Sequence, residues 1–274
     1  TIRLGVGVIT PRLRHLVANA GALAMLHPLA PGRVEVVVGA GFTSQLMLGK
    51  GPARWSDVEA YVNGLRSLLR GEDIEWDGAV IGLRYGARSG VELPGEIPIF
   101  VAAHGPKGYA VGARSADGVI TNPGHGANNT VLLEGRKTFV LLYGTVLRDG
   151  EGLDSERVLD ATGPYAAFQL HLGEDGMLAG SPAPAALMEK LEAIDESRRH
   201  LELHRGHLIE VTELERPLIT PELIGRSTET GDPGALRARL DELASSGVSG
   251  VLYAPMGSDI AGELASFAAV ALAH

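Results

Sequence analysis

At 274 residues the chain can bury a sizeable core, and 45% hydrophobic with 21% charged residues is a globular composition, which excludes a disordered tail or a charged coiled coil. Its 24 Lys and Arg against 33 Asp and Glu give a net charge of −9, which repels phosphate backbones and argues against nucleic-acid binding. The lack of any cysteine excludes disulfides, cysteine-based zinc sites, iron–sulfur clusters and thiol catalysis.

No apolar run reaches the ~20 residues needed to span a bilayer. Thr1-Ile2-Arg3-Leu4 is no signal peptide, so no membrane partner is expected, and the composition fits a cytoplasmic protein. Only 5% of residues are aromatic while 37 are glycine, which suits helices packed tightly on a sheet.

In chain order, Ile2 to Ile9 reads as a strand stopped by Thr10-Pro11. Leu13, Leu16, Val17 and Ala20 then follow helical spacing until Pro28 and Pro31-Gly32. Val34 to Val38 is a continuous apolar run, the mark of a buried parallel strand, and Gly39-Ala40-Gly41 ends it. The next helix has Ser56 and Glu59 spaced as a capping box, and Val58, Tyr61, Val62, Leu65, Leu68 and Leu69 on one face. Gly71 stops it.

Residues 73–95 read as a small insertion, with Ile74-Glu75-Trp76 and Gly82-Leu83-Arg84-Tyr85 alternating around Asp77-Gly78. Further strands are expected at Ile97 to Ala103, Asp117 to Thr121, Thr138 to Leu147 and Val248 to Tyr253. Helices are expected at Pro106 to Ser115, through a helix-rich excursion at 154–210, from Asp232-Pro233 to Ala244, and after Ser258. Apolar strands alternating with helices define an α/β fold, either a (β/α)8 barrel or a doubly wound sheet, in one domain over 1–274.

Ligands of such folds bind at the carboxyl ends of the strands. Three of those ends carry small residues: Gly5 to Pro11, Gly39 to Thr43, and Ala102-Ala103-His104-Gly105-Pro106-Lys107. Small side chains let a flat ring approach the backbone, although each glycine taken alone also serves a tight turn. Gly105 before a helix start offers free amides to a phosphate, and Lys107 adds a positive charge. His104 at a strand end is the one candidate catalytic side chain, with a structural role open beside it.

His200, His204 and His207 have the spacing of ligands on one helix face, but Arg198, Arg199 and Arg205 stand among them. The expectation there is a solvated or structural helix and no metal. No G-x-S-x-G elbow supports serine hydrolysis. Asp117-Gly118 reads as a turn, and Trp55 and Trp76 as packing or lid residues.

Taken in order, these segments resemble the bacterial luciferase-like monooxygenase superfamily. The resemblance rests on Leu4 to Arg12, on Ala30-Pro31-Gly32-Arg33-Val34 leading to Gly39-Ala40-Gly41, and on Leu48-Gly49-Lys50 before the helix ending Leu68 to Glu72. Pro98 to Lys107 and Ala116 to Ile120 complete it, with a weaker match over 210–274 at Gly231, Gly247-Val248 and Tyr253 to Gly257. Within the family the chain is most similar to the deazaflavin-dependent branch typified by methylenetetrahydromethanopterin reductase.

The resemblance implies an α/β TIM-type barrel that begins here at its third strand, so the expected chain lacks the first two βα units, as a shortened or a divergent member. The stretch from Asn122 to Thr138 is also short for a barrel helix. It implies an oxidoreductase transferring hydride between the 8-hydroxy-5-deazaflavin coenzyme F-420 (F420) and a small organic substrate, commonly as a homodimer. Gly7, Val8, Ile9 and Thr10 would line the middle ring, with a bulge and a non-prolyl cis bond at Gly7–Val8. Gly39, Ala40, Gly41, Phe42 and Thr43 would line the ring and ribityl chain. Ala102, Ala103, His104, Gly105, Pro106 and Lys107 would hold the phosphate. FMN in place of F420, as in a flavoprotein monooxygenase, remains open. So do a non-catalytic flavin-binding relative and an unrelated barrel lyase or isomerase using His104 and Lys107 on a phosphorylated substrate.

Overall fold

The computed structural model describes residues 2–86, 88–122, 133–173 and 177–272, which fall into two compact units. The first holds 2–121 and 133–138, the second Asn122 and 139–272. Among the described residues, no helix is long and apolar enough to cross a membrane.

In the first unit the chain runs β1 (Leu4–Ile9), α1 (Leu16–Leu26), β2 (Val34–Val38), α2 (Phe42–Leu46), α3 (Trp55–Leu69), β3 (Ile74–Trp76), β4 (Ala79–Ile81), β5 (Ile99–Ala102), α4 (Pro106–Ser115) and β6 (Gly118–Thr121). Strands β1, β2, β5 and β6 lie side by side in that order, all parallel. Val36 and Val38 of β2 are fully buried, as the unbroken apolar run predicts. On β1, Leu4 and Val8 are exposed. Between Val6 and Ile9 the pairing slips: three steps along β1 face two along β2, a bulge. The Gly7–Val8 bond is cis, the bond the resemblance singles out.

All six residues of the α3 stripe are buried against the sheet, and Gly71 ends the helix at φ +83°. The capping box does not form. The N-cap is Arg54, Ser56 turns to Asp57, and Glu59 accepts instead from Arg114 and Ser115 at the end of α4. Two guanidinium donors outcompete one backbone amide for that carboxylate, and they hold it below its ordinary range. The insertion is an antiparallel hairpin around Asp77-Gly78, but its second strand is β4, not Gly82 to Tyr85. A two-residue turn with both residues at positive φ fixes the partner directly after it. Asp117 is structural: it accepts from the Ile99 amide and from Arg66.

The second unit takes β7 (Lys137–Leu142) from Phe139 onward, then α5 (Glu156–His171), α6 (Pro182–Leu191), α7 (Arg199–Leu203), α8 (Pro221–Ser227), α9 (Pro233–Ser245), β8 (Gly250–Tyr253) and α10 (Ile260–Ala271). β7 stops at Leu142, short of the expected Leu147, because the chain leaves the strand and touches Gly231 only through an isolated bridge at Val146. β7 and β8 pair in parallel, Val140 opposite Val251. Asp232 and Asp259 cap α9 and α10 by accepting backbone amides.

Charge is buried here. Arg157 bridges Glu151 and Glu263 and donates to Thr145 Oγ1 and the Val146 carbonyl. Glu263 is 2% exposed. The Arg157 guanidinium pulls the Glu151 carboxyl down to about 2.

Candidate coenzyme site

The three predicted segments meet at one edge of the first unit, because β1, β2 and β5 are parallel neighbours. Ile9 pairs with Val38 and Val38 with Val101, so the residues after each strand emerge side by side. The register is kept past the strand ends, where the Gly39 amide donates to the Ile9 carbonyl at 3.0 Å and the Ala103 amide to the Ile120 carbonyl at 3.0 Å.

Small residues are what allow this approach. A Cβ on Gly39 would lie 2.7 Å from Val8 Cγ1 and 3.5 Å from Ala102 Cβ. One on Gly41 would lie 2.7 Å from Thr10 Cγ2, and Gly41 sits at φ +75°, where side chains are disfavoured. Val8 and Phe42 are nonetheless exposed, at 52% and 40%, so the edge presents apolar surface to whatever lies over it. Thr43 and Ser44 lie in α2, where Ser44 Oγ donates to the Gly41 carbonyl.

Beside this surface, α4 starts at Pro106 with Gly105 as its N-cap. No side chain caps its first amides and no acidic residue stands in the first turn. A Cβ on Gly105 would meet nothing within 4 Å, so the approach to those amides is open. Free first-turn amides, the helix dipole and exposed Lys107 are together suited to an anion. His104 is exposed in the turn before it.

Two residues carry a signal that the sequence does not. The Thr10 hydroxyl and both polar atoms of the Gln45 amide are buried without a hydrogen-bond partner. Gln45 is fully buried one turn into α2, directly after the Gly39 to Thr43 loop. An orphaned buried amide costs ~1–3 kcal/mol, a penalty a bound polar molecule removes. The structure thus fits a ligand with an apolar flat body, hydrogen-bonding edges and a phosphate.

Of the expected solvated or structural helix, the buried histidines fit the structural reading rather than the solvated one. His204 is 3% exposed and His200 is not its ligand-forming neighbour. Burial, with His171 nearby, pulls both His204 and His207 down to about 4. The expected short segment between Asn122 and Thr138 lies largely outside the described residues.

Residues 1–134 match the family model described as luciferase-like monooxygenase. A 5,10-methylenetetrahydromethanopterin reductase of Archaeoglobus fulgidus is 26% identical over 277 residues, which cover 94% of this chain and 79% of the relative. An F420-dependent glucose-6-phosphate dehydrogenase of Beutenbergia cavernae is 34% identical over 136 residues, or 46% of this chain and 39% of its own length. In solved structures, the coenzyme F420-dependent tetrahydromethanopterin reductase of Methanopyrus kandleri superposes with a TM-score of 0.62 at 19% identity, over 99% of this chain and 81% of that one. An F420-dependent secondary alcohol dehydrogenase, solved with an F420–acetone adduct, gives 0.62 at 14% identity, over 98% and 78%. The fold is therefore the α/β, TIM-type fold of these proteins.

Proposed function

Because this chain belongs to the luciferase-like monooxygenase superfamily, we propose that it is an F420-dependent oxidoreductase acting on a small organic molecule. One observation carries the reading. Three parallel strand ends, narrowed to glycine and alanine, present exposed Val8 and Phe42 beside the uncapped start of α4. That is an apolar ring surface next to a phosphate site, built without a demanding side-chain chemistry.

Bound F420 would supply the hydride donor or acceptor, as cofactors do in such enzymes. The chain's own residues bind and orient it. Gly39 and Gly41 let Val8 and Thr10 pack against the loop after β2, which leaves exposed Val8 as the surface for the ring system. Thr10 and Gln45 satisfy their buried polar atoms on its edges. The first amides of α4, with Lys107, hold the phosphate, and apolar Phe42 keeps water from the ring. His104 is the candidate for holding or moving a proton on the substrate. The similarity to F420-dependent relatives favours the deazaflavin over FMN.

The test is a pair of titrations of the purified chain, with F420 and with FMN, read by coenzyme fluorescence. F420 binding that weakens in Lys107→Ala, while a phosphate-free deazaflavin binds the variant and the parent alike, supports both the ring and the phosphate assignments. Failure of both coenzymes to bind overturns the proposal. Tight FMN binding alone transfers the site to a flavin.

A further inference from the structure

Three imidazoles meet inside the second unit. His171 closes α5, His204 caps the end of α7, and His207 follows in the next turn. Ring centres lie 5.2 Å apart for His171 and His204, 5.6 Å for His204 and His207, and 6.2 Å for His171 and His207. One ring nitrogen from each falls within 4.8 Å of the other two. The His171 side chain is 1% exposed and His204 3%.

The hydrogen bonds of this cluster are incomplete in a particular way. His171 Nδ1, both nitrogens of His204 and His207 Nδ1 are buried without partners. Buried polar groups are normally paired, so four orphaned nitrogens on three converging rings point to a missing common partner. The second nitrogen of His171 is satisfied, and it orients that ring. His171 Nε2 lies 2.6 Å from Glu215 Oε1, and Glu215 Oε2 accepts from the Thr212 amide and hydroxyl at 2.7 Å each. With Nε2–H donated to the carboxylate, the lone pair of His171 is left on Nδ1. A carboxylate behind an imidazole is the usual outer support of a metal-binding histidine.

The surroundings agree. Between His204 and His207 the chain turns through Gly206 at φ +71°, and Leu208 is held at φ +58°, a conformation an apolar side chain adopts only when its surroundings impose it. Two of the three arginines that oppose a cation in the sequence are turned to other acceptors. Arg199 donates to the Ile194 and Glu192 carbonyls, and Arg205 pairs with Glu202.

We propose that His171, His204 and His207 bind a divalent transition-metal ion of the zinc class, with Glu215 fixing the orientation of His171. Three imidazoles select zinc, cobalt, nickel or copper over calcium and magnesium, and leave a fourth tetrahedral position for water or a ligand. The site lies wholly within the second unit and does not depend on the coenzyme assignment.

The experiment strips the full-length protein with chelator and titrates it with Co²⁺, then with Zn²⁺. The expected result is one equivalent of Co²⁺ with the intense visible bands of a tetrahedral nitrogen site, displaced by Zn²⁺. His171→Ala or His204→Ala should weaken binding at least ~100-fold, and Glu215→Gln about 10–100-fold, as loss of an outer partner does elsewhere. Circular dichroism tells a folded variant from an unfolded one. If the alanine variants unfold, the parent decides alone, by a zinc-dependent rise in Tm that chelator reverses. No stoichiometric Co²⁺ uptake by the parent, or unchanged uptake by a folded His171→Ala/His204→Ala double variant, overturns the site.

Discussion

The first unit keeps its candidate site almost free of buried charge, while the second unit buries charge in several places. At the strand ends of the first unit the work is done by glycines, an exposed valine and phenylalanine, and backbone amides. In the second unit, Arg157 with Glu151 and Glu263, Arg239 with Glu229, and the histidines around Glu215 are all largely buried. On the proposed functions, the difference follows from what each unit would hold. A coenzyme brings its own reactivity and asks the protein for shape, whereas buried polar side chains must satisfy one another or a ligand.

The largest expected effect breaks a buried charge network. Arg157→Met leaves Glu263 buried and unpaired, and removal of one partner of such a pair costs about 3–5 kcal/mol. Urea unfolding should show that loss, and a loss under about 1 kcal/mol would mean that the network is solvated like a surface pair. The paired change Arg157→Met/Glu263→Gln should recover part of it.

Acid should act on the same network next. Glu151 is held at about 2 by Arg157, against 4.5 for a free carboxyl. A depressed folded-state pKa means that its contribution is complete above about 4.5 and lost as pH falls towards about 2. Glu151→Gln should lower stability at neutral pH and flatten the acid limb of the stability curve. An unchanged acid limb in that variant would remove Glu151 from the account.

For the first unit the matching perturbation is steric. Gly39→Val puts branched carbons where one Cβ already falls 2.7 Å from Val8 Cγ1. Overpacking of this kind costs about 1–3 kcal/mol, and it pushes Val8 into the space assigned to the ring. F420 affinity should therefore fall by at least ~10-fold, on the scale of 1.4 kcal/mol per decade. Affinity equal to that of the parent would move the ring away from β1 and β2.

These two regions also differ in how legible they are in the sequence. Gly39 to Thr43 and Ala102 to Lys107 are contiguous, and parallel neighbours bring contiguous strand ends together, so the candidate site follows from local pattern and fold class. The buried orphan Gln45 escaped because an amide inside an amphipathic turn gives no periodic signal. The histidine cluster escaped for a stronger reason. The spacing rule for a helix face joins His200 to His204, but α7 ends at Leu203, and the third ring comes instead from His171 on α5. Long-range pairing of that kind is set by helix packing, which no window of sequence contains. The α3 cap failed in the same way, since Glu59 found Arg114 of another helix.

The smallest effect is expected where local chemistry and structure already agree. Asp77 and Gly78 turn the β3–β4 hairpin at φ +50° and +79°. Such a turn demands positive φ at both positions, and Asp tolerates it better than most residues. Asp77→Gly should change stability by no more than ~0.5 kcal/mol, since it removes the side-chain penalty and adds unfolded-state freedom at once. Asp77→Val should cost about 1–2 kcal/mol, because a β-branched side chain is poorly accommodated there. The hairpin carries neither candidate ligand site, so F420 and Co²⁺ titrations of both variants should match the parent. A change in either titration would show that the hairpin reports to a site it does not touch.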